Sequence, residues 1–235
     1  MLIFLDLQTT GIASEDVICA ISLLYEAELV AEFINEGKKI PALASSIHNI
    51  TNEMIAEGKP FKESKAFEIL QNYNSDEHTL VMHNASFFLE KLLLHSLPWQ
   101  GAIIDTSRVC KHLIPECEFF SLNFLRYELQ LYREEERLKR EYSIEYPLVA
   151  HDVRSDVIIT KLLFAYLQEM ATVEKMQELS FSKVLLEKLP FGKYQGKYIE
   201  EILQIDSKYL QWMLQLDDLD EDLRYSLKYY LEGAI

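Results

Sequence analysis

The chain has 235 residues, is 49% hydrophobic and 26% charged, and carries a net charge of −15. That is enough for one sizeable core with a small appendage or for two modest domains, with too few glycines and prolines for a low-complexity chain. So acidic a chain has no general attraction for phosphate backbones, which excludes sequence-blind coating of DNA and leaves any nucleic-acid contact to a local basic patch or bound cations. No apolar run approaches the roughly 18 residues needed to span a bilayer, and no charged leader precedes a cleavage site. Cys19, Cys110 and Cys117 have no metal-ligand spacing and read as buried thiols of a reducing compartment. The expectation is a cytoplasmic protein with no membrane partner.

Leu2 to Leu7 is an apolar strand that delivers Asp6 to its end, followed by Gln8, Thr9 and Thr10 and broken by Gly11. A carboxylate beside an apolar strand needs a cationic partner, because desolvating it alone is costly. Val17 to Leu24 and Glu28 to Ile34 read as two further strands joined through Tyr25-Glu26-Ala27, so the three can form a meander. Lys38 to Pro41 is a loop; Ser45 to Thr51 follows, containing His48, Asn49 and Ile50. Thr51 has the chemistry of an N-cap for a short helix ending near Gly58. His48 by itself reads as a surface loop histidine.

Phe61 to Tyr73 has helical spacing, Thr79 to Met82 is a short strand, and His83-Asn84-Ala85-Ser86-Phe87-Phe88 turns into a helix reaching about Ser96. Gly101 to Ile104 leads into Asp105-Thr106 and a helix to Leu113, with Asp105 placed to cap it. Ser121 to Leu129 is another helix, and Arg133 to Arg140 a mixed-charge, solvated face. His151 stands just before a long apolar-periodic helix that runs through Met170 and toward Leu179, with Asp156 one turn inside it. Histidine and aspartate at that spacing can address one point, the carboxylate gripping a metal and the imidazole reaching a water. From Leu189 the chain reads as a small hairpin with helices at about Ile199–Leu203, Ser207–Leu216 and Glu221–Leu231. Lys193 and Lys197 beside Tyr194 and Tyr198 combine cations with aromatic faces, which suits a nucleic-acid strand or a solubilised structural hairpin.

In their order these segments resemble the DnaQ-like 3'-5' exonucleases of the histidine (DEDDh) subclass. The first motif of that family is Asp-x-Glu-Thr-Thr-Gly, here with Gln8 for the glutamate. His48-Asn49-Ile50-Thr51 is similar to its His-Gly-Ile-Thr segment. His83-Asn84-Ala85-Ser86-Phe87-Phe88 is similar to its second motif, Asn-Ala-x-Phe-Asp, with Phe88 for the aspartate. Asp105-Thr106, Ser121-Leu122 with Leu125, and His151 with Asp156 complete the series. The tail resembles the small C-terminal domain of exonuclease X-type nucleases.

The resemblance implies a ribonuclease H-like α/β domain over residues 1–178, with a mixed five-stranded sheet flanked by helices. A small, mostly helical C-terminal domain would occupy 189–235. It implies His151, Asp6 and Asp156 as catalytic residues and Asp6, Asp156 and Gln8 as metal ligands. Thr9, Thr10, His48, Ile50, His83, Asn84, Phe87 and Phe88 would be substrate contacts, with Lys193 and Lys197 added from the tail. The family uses two Mg2+ or Mn2+ ions held by four carboxylates. With Gln8 neutral and Phe88 apolar, one ion or none is expected here. Glu90 is about 200° around the helix from Phe88 and cannot replace it, whereas Asp152 is one turn before Asp156 and a better stand-in; Glu15 and Asp16 are poorer ones. The implied activity is hydrolysis of single-stranded DNA 3' ends, weakened or lost. The rival expectation is a non-catalytic module that binds a nucleic-acid end or a protein partner, with Phe88 stacking on a base.

Overall fold

Eight residues, Leu2–Thr9, form β1, the central strand of a five-stranded sheet in the computed structural model, which describes residues 1–233. β1 pairs antiparallel with β2 (Ile18–Tyr25), which pairs antiparallel with β3 (Glu28–Phe33). On its other side β1 runs parallel to β4 (Thr79–Met82), and β4 parallel to β5 (Ala102–Asp105), giving the order β3-β2-β1-β4-β5. The sheet is therefore mixed, and the expected meander of the first three strands is present. Every residue of β2 is buried, as expected of a strand covered on both faces.

The chain divides into two compact units. The first comprises residues 1–109 and 119–180, the second residues 110–118 and 181 onward. In the first, α1 (Ala42–His48), α2 (Lys65–Asn72) and α3 (Ala85–Leu94) precede β5. There follow α4 (Thr106–Leu113), α5 (Leu122–Glu128), α6 (Glu135–Glu141), the long α7 (Val153–Gln168) and α8 (Val173–Phe181). The main core is the sheet face of Ile3, Leu5, Ile21, Leu23, Leu80 and Met82 against Phe61, Leu70, Phe88 and Leu92. Each such side chain contributes about 1.5–3 kcal/mol when fully buried.

Several local expectations are corrected. The helix falls at Ala42–His48, opened by Pro41, while residues 52–57 are only turns. Pro41 fixes its own φ in an extended conformation just before the first turn and its carbonyl accepts the first helical bond, from Ser45 N. The helical stretch from Phe61 is a 3-10 turn followed by α2, because the Ser64 hydroxyl accepts from Phe67 N and restarts the helix. The helix after Asp156 stops at Gln168, and α8 begins anew after Thr172, whose hydroxyl accepts from Lys175 N. The charged run around Arg133 to Arg140 is not wholly solvated, since Glu135 is buried. Cys19 and Cys110 are buried, but Cys117 is only half so.

The second unit holds α9 (Ile199–Met213), with non-helical backbone at Asp206 where the sequence separated two helices, and α10 (Glu221–Glu232). Leu189, Ile199, Ile202, Leu210, Met213, Leu223 and Leu227 form its own core. The expected hairpin is instead a tight loop closed by one antiparallel bridge, Lys188 with Tyr198. Gly192 is required there: at φ 85° it is left-handed, and a Cβ would stand 2.4 Å from the Tyr209 hydroxyl. Among the described residues no helix is long and apolar enough to cross a membrane.

Candidate active site

Asp6 lies two-thirds of the way along β1 and is paired in register with Ser22 of β2. The Ser22 hydroxyl donates 2.6 Å to the carbonyl of Val153, the first residue of α7. One side chain thus pins the start of α7 against the strand beside Asp6 and carries Asp156 with it. Asp6 and Asp156 are 6% and 7% exposed. Burial, then the charge of Asp156, raise the Asp6 carboxyl well above the usual carboxylate range, and the Gln8 hydrogen bond only partly opposes this. Burial pushes Asp156 up to about 7, against the opposing backbone amide of His151. Two buried carboxylates side by side, each resisting ionisation, are an arrangement that a cation would relieve.

The neighbours of this pair are fixed by local chemistry. Gln8 Nε2 donates to Asp6 Oδ2 at 3.4 Å, a long contact that turns the amide toward the acid. His151 is exposed, adopts a positive φ of 63°, and its backbone N–H donates to Asp156 Oδ1 at 3.3 Å. A left-handed histidine is uncommon, and here it lets one residue hold Asp156 through its backbone while the imidazole stays in solvent. Asp152 is not a stand-in ligand. It caps α7 by accepting from Arg154 N and Ser155 N, and it pairs with the Arg154 guanidinium at 2.7 Å. Burial pushes its carboxyl up, but Arg154 and the helix amides outweigh that and hold it low.

The loop after β1 is tied down by two lysines. Asp16 accepts from the Thr10 hydroxyl, from Ala13 N and from Lys38 Nζ at 2.7 Å, and Lys38 holds its carboxyl low. The same carboxylate explains Gly11, where a Cβ would fall 2.3 Å from Asp16 Oδ2. From α3, the fully buried Lys91 reaches the loop and donates to Ala13 O at 2.6 Å. Thr9 and Thr10 are therefore buried parts of the loop scaffold, with the Thr9 hydroxyl donating to Gly11 O.

Other residues expected to touch substrate are occupied elsewhere. His48 is not a surface histidine: it is buried at the end of α1, Nδ1 accepts from Ile50 N, and Nε2 lies 3.9 Å from Cys19 Sγ. Burial lowers its pKa, partly opposed by the backbone of Thr9, and His151 is near enough to lower it further. Ile50 packs with Cys19, Ala20, Ile40 and Val153 instead of facing solvent. Asn49 takes the left-handed conformation at the helix end, φ 59°, which asparagine tolerates nearly as well as glycine. His83 is engaged at both ring nitrogens, by Thr106 Oγ1 and by Phe120 O.

Asp105 accepts from Asn84 N, Ala85 N, Ser107 N and Arg108 N. It caps α4 as the sequence suggested, and it also fixes the start of α3, with Asn84 left-handed at φ 74° and exposed. Phe88, one turn into α3, is 6% exposed and packed in the main core, so its ring does not offer a face for stacking. Phe87 is half-buried under Lys91, whose Nζ stands 5.2 Å from its ring centroid.

Two features escaped the sequence. Arg126 on α5 forms a buried, bidentate pair with Glu135 at 2.5 and 2.7 Å, and its charge lowers the Asp156 carboxyl. Lys91 is the other. Neither carries a motif signal; only the one-turn offset of Lys91 from Phe88 hints that it faces inward. In the second unit Lys193 is bound to Asp206 at 3.0 Å, whereas Lys197 lies 5.8 Å from the Tyr194 ring centroid.

As to a divalent ion, Asp6 and Asp156 are suitable hard ligands and Gln8 could add a neutral oxygen. Among the described residues, no three His, Cys, Asp or Glu side chains converge as a metal cluster. The donor set fits one ion and lacks the ligands for a second.

Known proteins resemble this chain in sequence and in fold. The family described as Exodeoxyribonuclease X-like C-terminal matches residues 189–217. Exodeoxyribonuclease 10 of Escherichia coli strain K12 is 28% identical over 242 residues, covering all of both chains. The 3'-5' exonuclease DinG of Bacillus subtilis is 27% identical over 76% of this chain but only 18% of its own length. Among solved structures, exonuclease X in complex with 5' overhanging duplex DNA superposes with a TM-score of 0.57 at 23% identity, covering 77% of this chain and 99% of that one. A 3'-exonuclease that recognises the 3' end of histone mRNA stem-loop gives 0.51 at 11% identity, over 72% and 63%. The fold is that of the ribonuclease H-like exonucleases, and these similarities support the resemblance to the DnaQ-like exonucleases. The similarity to Exodeoxyribonuclease 10 runs along the whole chain, and the C-terminal segment is matched a second time by the family model.

Proposed function

We propose that this protein is a 3'-5' exonuclease-like phosphodiesterase for single-stranded DNA ends, with a site reduced from two ions to one and turnover correspondingly weak. The observation that carries this reading is the retained pair of buried carboxylates, Asp6 and Asp156, held together by Ser22 and α7 with an exposed His151 beside them. Two carboxylates kept ionisable in a low-dielectric site are expensive to retain without a cation to hold. Asp6 and Asp156 would bind one Mg2+ or Mn2+, with Gln8 beside them. When bound, such an ion supplies positive charge to a phosphodiester and lowers the pKa of water. His151 would accept the proton of the attacking water at its solvent-facing ring. Asn84, exposed at the start of α3, and Phe87 are the remaining candidates to orient the terminal nucleotide. Losing an outer support of a metal ligand typically costs about 10- to 100-fold, so the absence of two motif acids implies a larger deficit. Residues 189 onward would act as a C-terminal domain of exonuclease X type.

The second reading, a non-catalytic end-binding module, is favoured by Phe88, which fills the core where the family has an acid. The test is digestion of a 3'-labelled oligonucleotide by stoichiometric protein with Mn2+. Slow shortening is expected, lost in Asp6→Ala and Asp156→Ala and accelerated in Gln8→Glu. If neither the natural chain nor Gln8→Glu shortens the strand, the catalytic reading falls and the binding module stands.

A further inference from the structure

Among the described residues of the second unit, the segment leading into α9 carries four lysines, of which Lys183 lies beside Tyr225 of α10 and the other three belong to one loop. Lys183, Lys188, Lys193 and Lys197 precede α9, whereas Asp217, Asp218, Asp220, Glu221 and Asp222 surround the start of α10. The loop from 188 to 198 gives the lysines fixed positions. Its ends are joined by the bridge between Lys188 and Tyr198 and by Leu189 N donating to Lys197 O at 3.0 Å. Lys193 is not available: its Nζ is paired with Asp206, which also accepts from the Tyr194 hydroxyl, so both serve to close the loop. Lys188 and Lys197 are exposed and have no ion pair among the described residues. Each lies against an aromatic ring, Lys188 Nζ 4.8 Å from the Tyr198 centroid and Lys197 Nζ 5.8 Å from that of Tyr194. Tyr198 is 45% exposed, as is Phe191 on the same loop. The nearby Glu187 acts on Tyr230 and helps push its hydroxyl up, behind burial and Glu200.

We infer that this loop is a second binding site, which holds single-stranded DNA by contacts of Lys188 and Lys197 with successive phosphates and by a base stacked on Tyr198. Two lysines without an ion pair among the described residues, beside the partly exposed Tyr194 ring and the exposed Tyr198 ring and held by a closed backbone bridge, fit a strand that presents alternating charge and π-faces. An internally paired Lys193 beside two unpaired lysines separates the cation that builds the loop from those that serve a ligand. The inference rests on the reading of DNA as the substrate class and is independent of turnover.

The test is fluorescence anisotropy of the full chain with a labelled oligothymidylate in EDTA, across a salt series. Lys188→Glu/Lys197→Glu is expected to bind about tenfold or more weakly and to lower the slope of log affinity against log salt by about 1.4, at about 0.7 per phosphate contact on a single strand. Tyr198→Ala is expected to weaken binding about tenfold without altering that slope. The charge-matched control Lys208→Glu/Lys228→Glu, on the same unit, should stay within twofold. Equal weakening by the control, unchanged binding by the Lys188/Lys197 variant, or no binding by the natural chain overturns the inference. Oligonucleotide shortening measured on the same variants tests the proposed function separately, because loss of loop binding leaves Asp6, Asp156 and His151 in place.

Discussion

At the Asp6 end of β1 the chain retains charge that its surroundings resist: two buried carboxylates, a backbone amide donated by a left-handed histidine, and a buried arginine behind them. At the start of α3 the buried polar groups are engaged within the chain. Asp105 takes four backbone amides, Lys91 is anchored on the Ala13 carbonyl, and Phe88 is part of the core. The difference teaches that burial leaves charge unbalanced around Asp6 and Asp156, while around Asp105 and Phe88 hydrogen bonding and apolar packing compensate it.

The sharpest way to break that contrast is Phe88→Ala. If Phe88 is core, as its packing indicates, truncation lowers unfolding free energy by about 3–5 kcal/mol in a denaturant titration; a change below about 1 kcal/mol would return the residue to the surface. Next in size is Arg126→Leu, which leaves Glu135 buried without its partner and costs about 3 kcal/mol. The joint replacement Arg126→Leu/Glu135→Leu should recover most of that loss. A smaller effect of opposite sign is expected at the acids. Asp156 has a folded pKa raised to about 7, so it binds its proton more tightly folded than unfolded. It therefore lowers stability above pH 7, and that penalty disappears as pH falls from 8 toward 4. Asp156→Asn should accordingly raise the melting temperature at pH 8 in EDTA, by about 1–3 kcal/mol of stability, and abolish any rise given to the natural chain by Mn2+. Smallest is Thr160→Val. The Thr160 hydroxyl, one turn beyond Asp156, is buried without a hydrogen-bond partner among the described residues, so its removal should leave stability unchanged or raise it by up to about 1 kcal/mol, read by the same denaturant titration.

The strands were the most legible part of the fold. Unbroken apolar runs bounded by Gly11, Glu26 and the Asn84 turn can form little else in a chain of this composition, and the positions of Asp6 and Asp105 followed from the strands. The helix at Ala42–His48 was not legible from Thr51, because two capping signals competed and Pro41 prevailed. His48 and Ile50 were misplaced for the same reason: a helix end turned inward puts both against Cys19 and Val153. The roles of Lys91 and Arg126 depend on partners 78 and 9 residues away, which no local pattern reports.

By itself, the sequence determined the identity of the strand that presents Asp6, the turn of helix that presents Asp156, and the two substitutions, Gln8 and Phe88, that reduce the donor set. Those are properties of residue type and short-range spacing. Only the tertiary structure decided that Asp152 is a cap, that Phe88 is core, that Asp105 holds two helices, and that Lys193 is paired while Lys188 and Lys197 have no ion pair among the described residues. A side chain's availability depends on what the rest of the chain folds against it, and burial and pairing are set by contacts far apart in sequence.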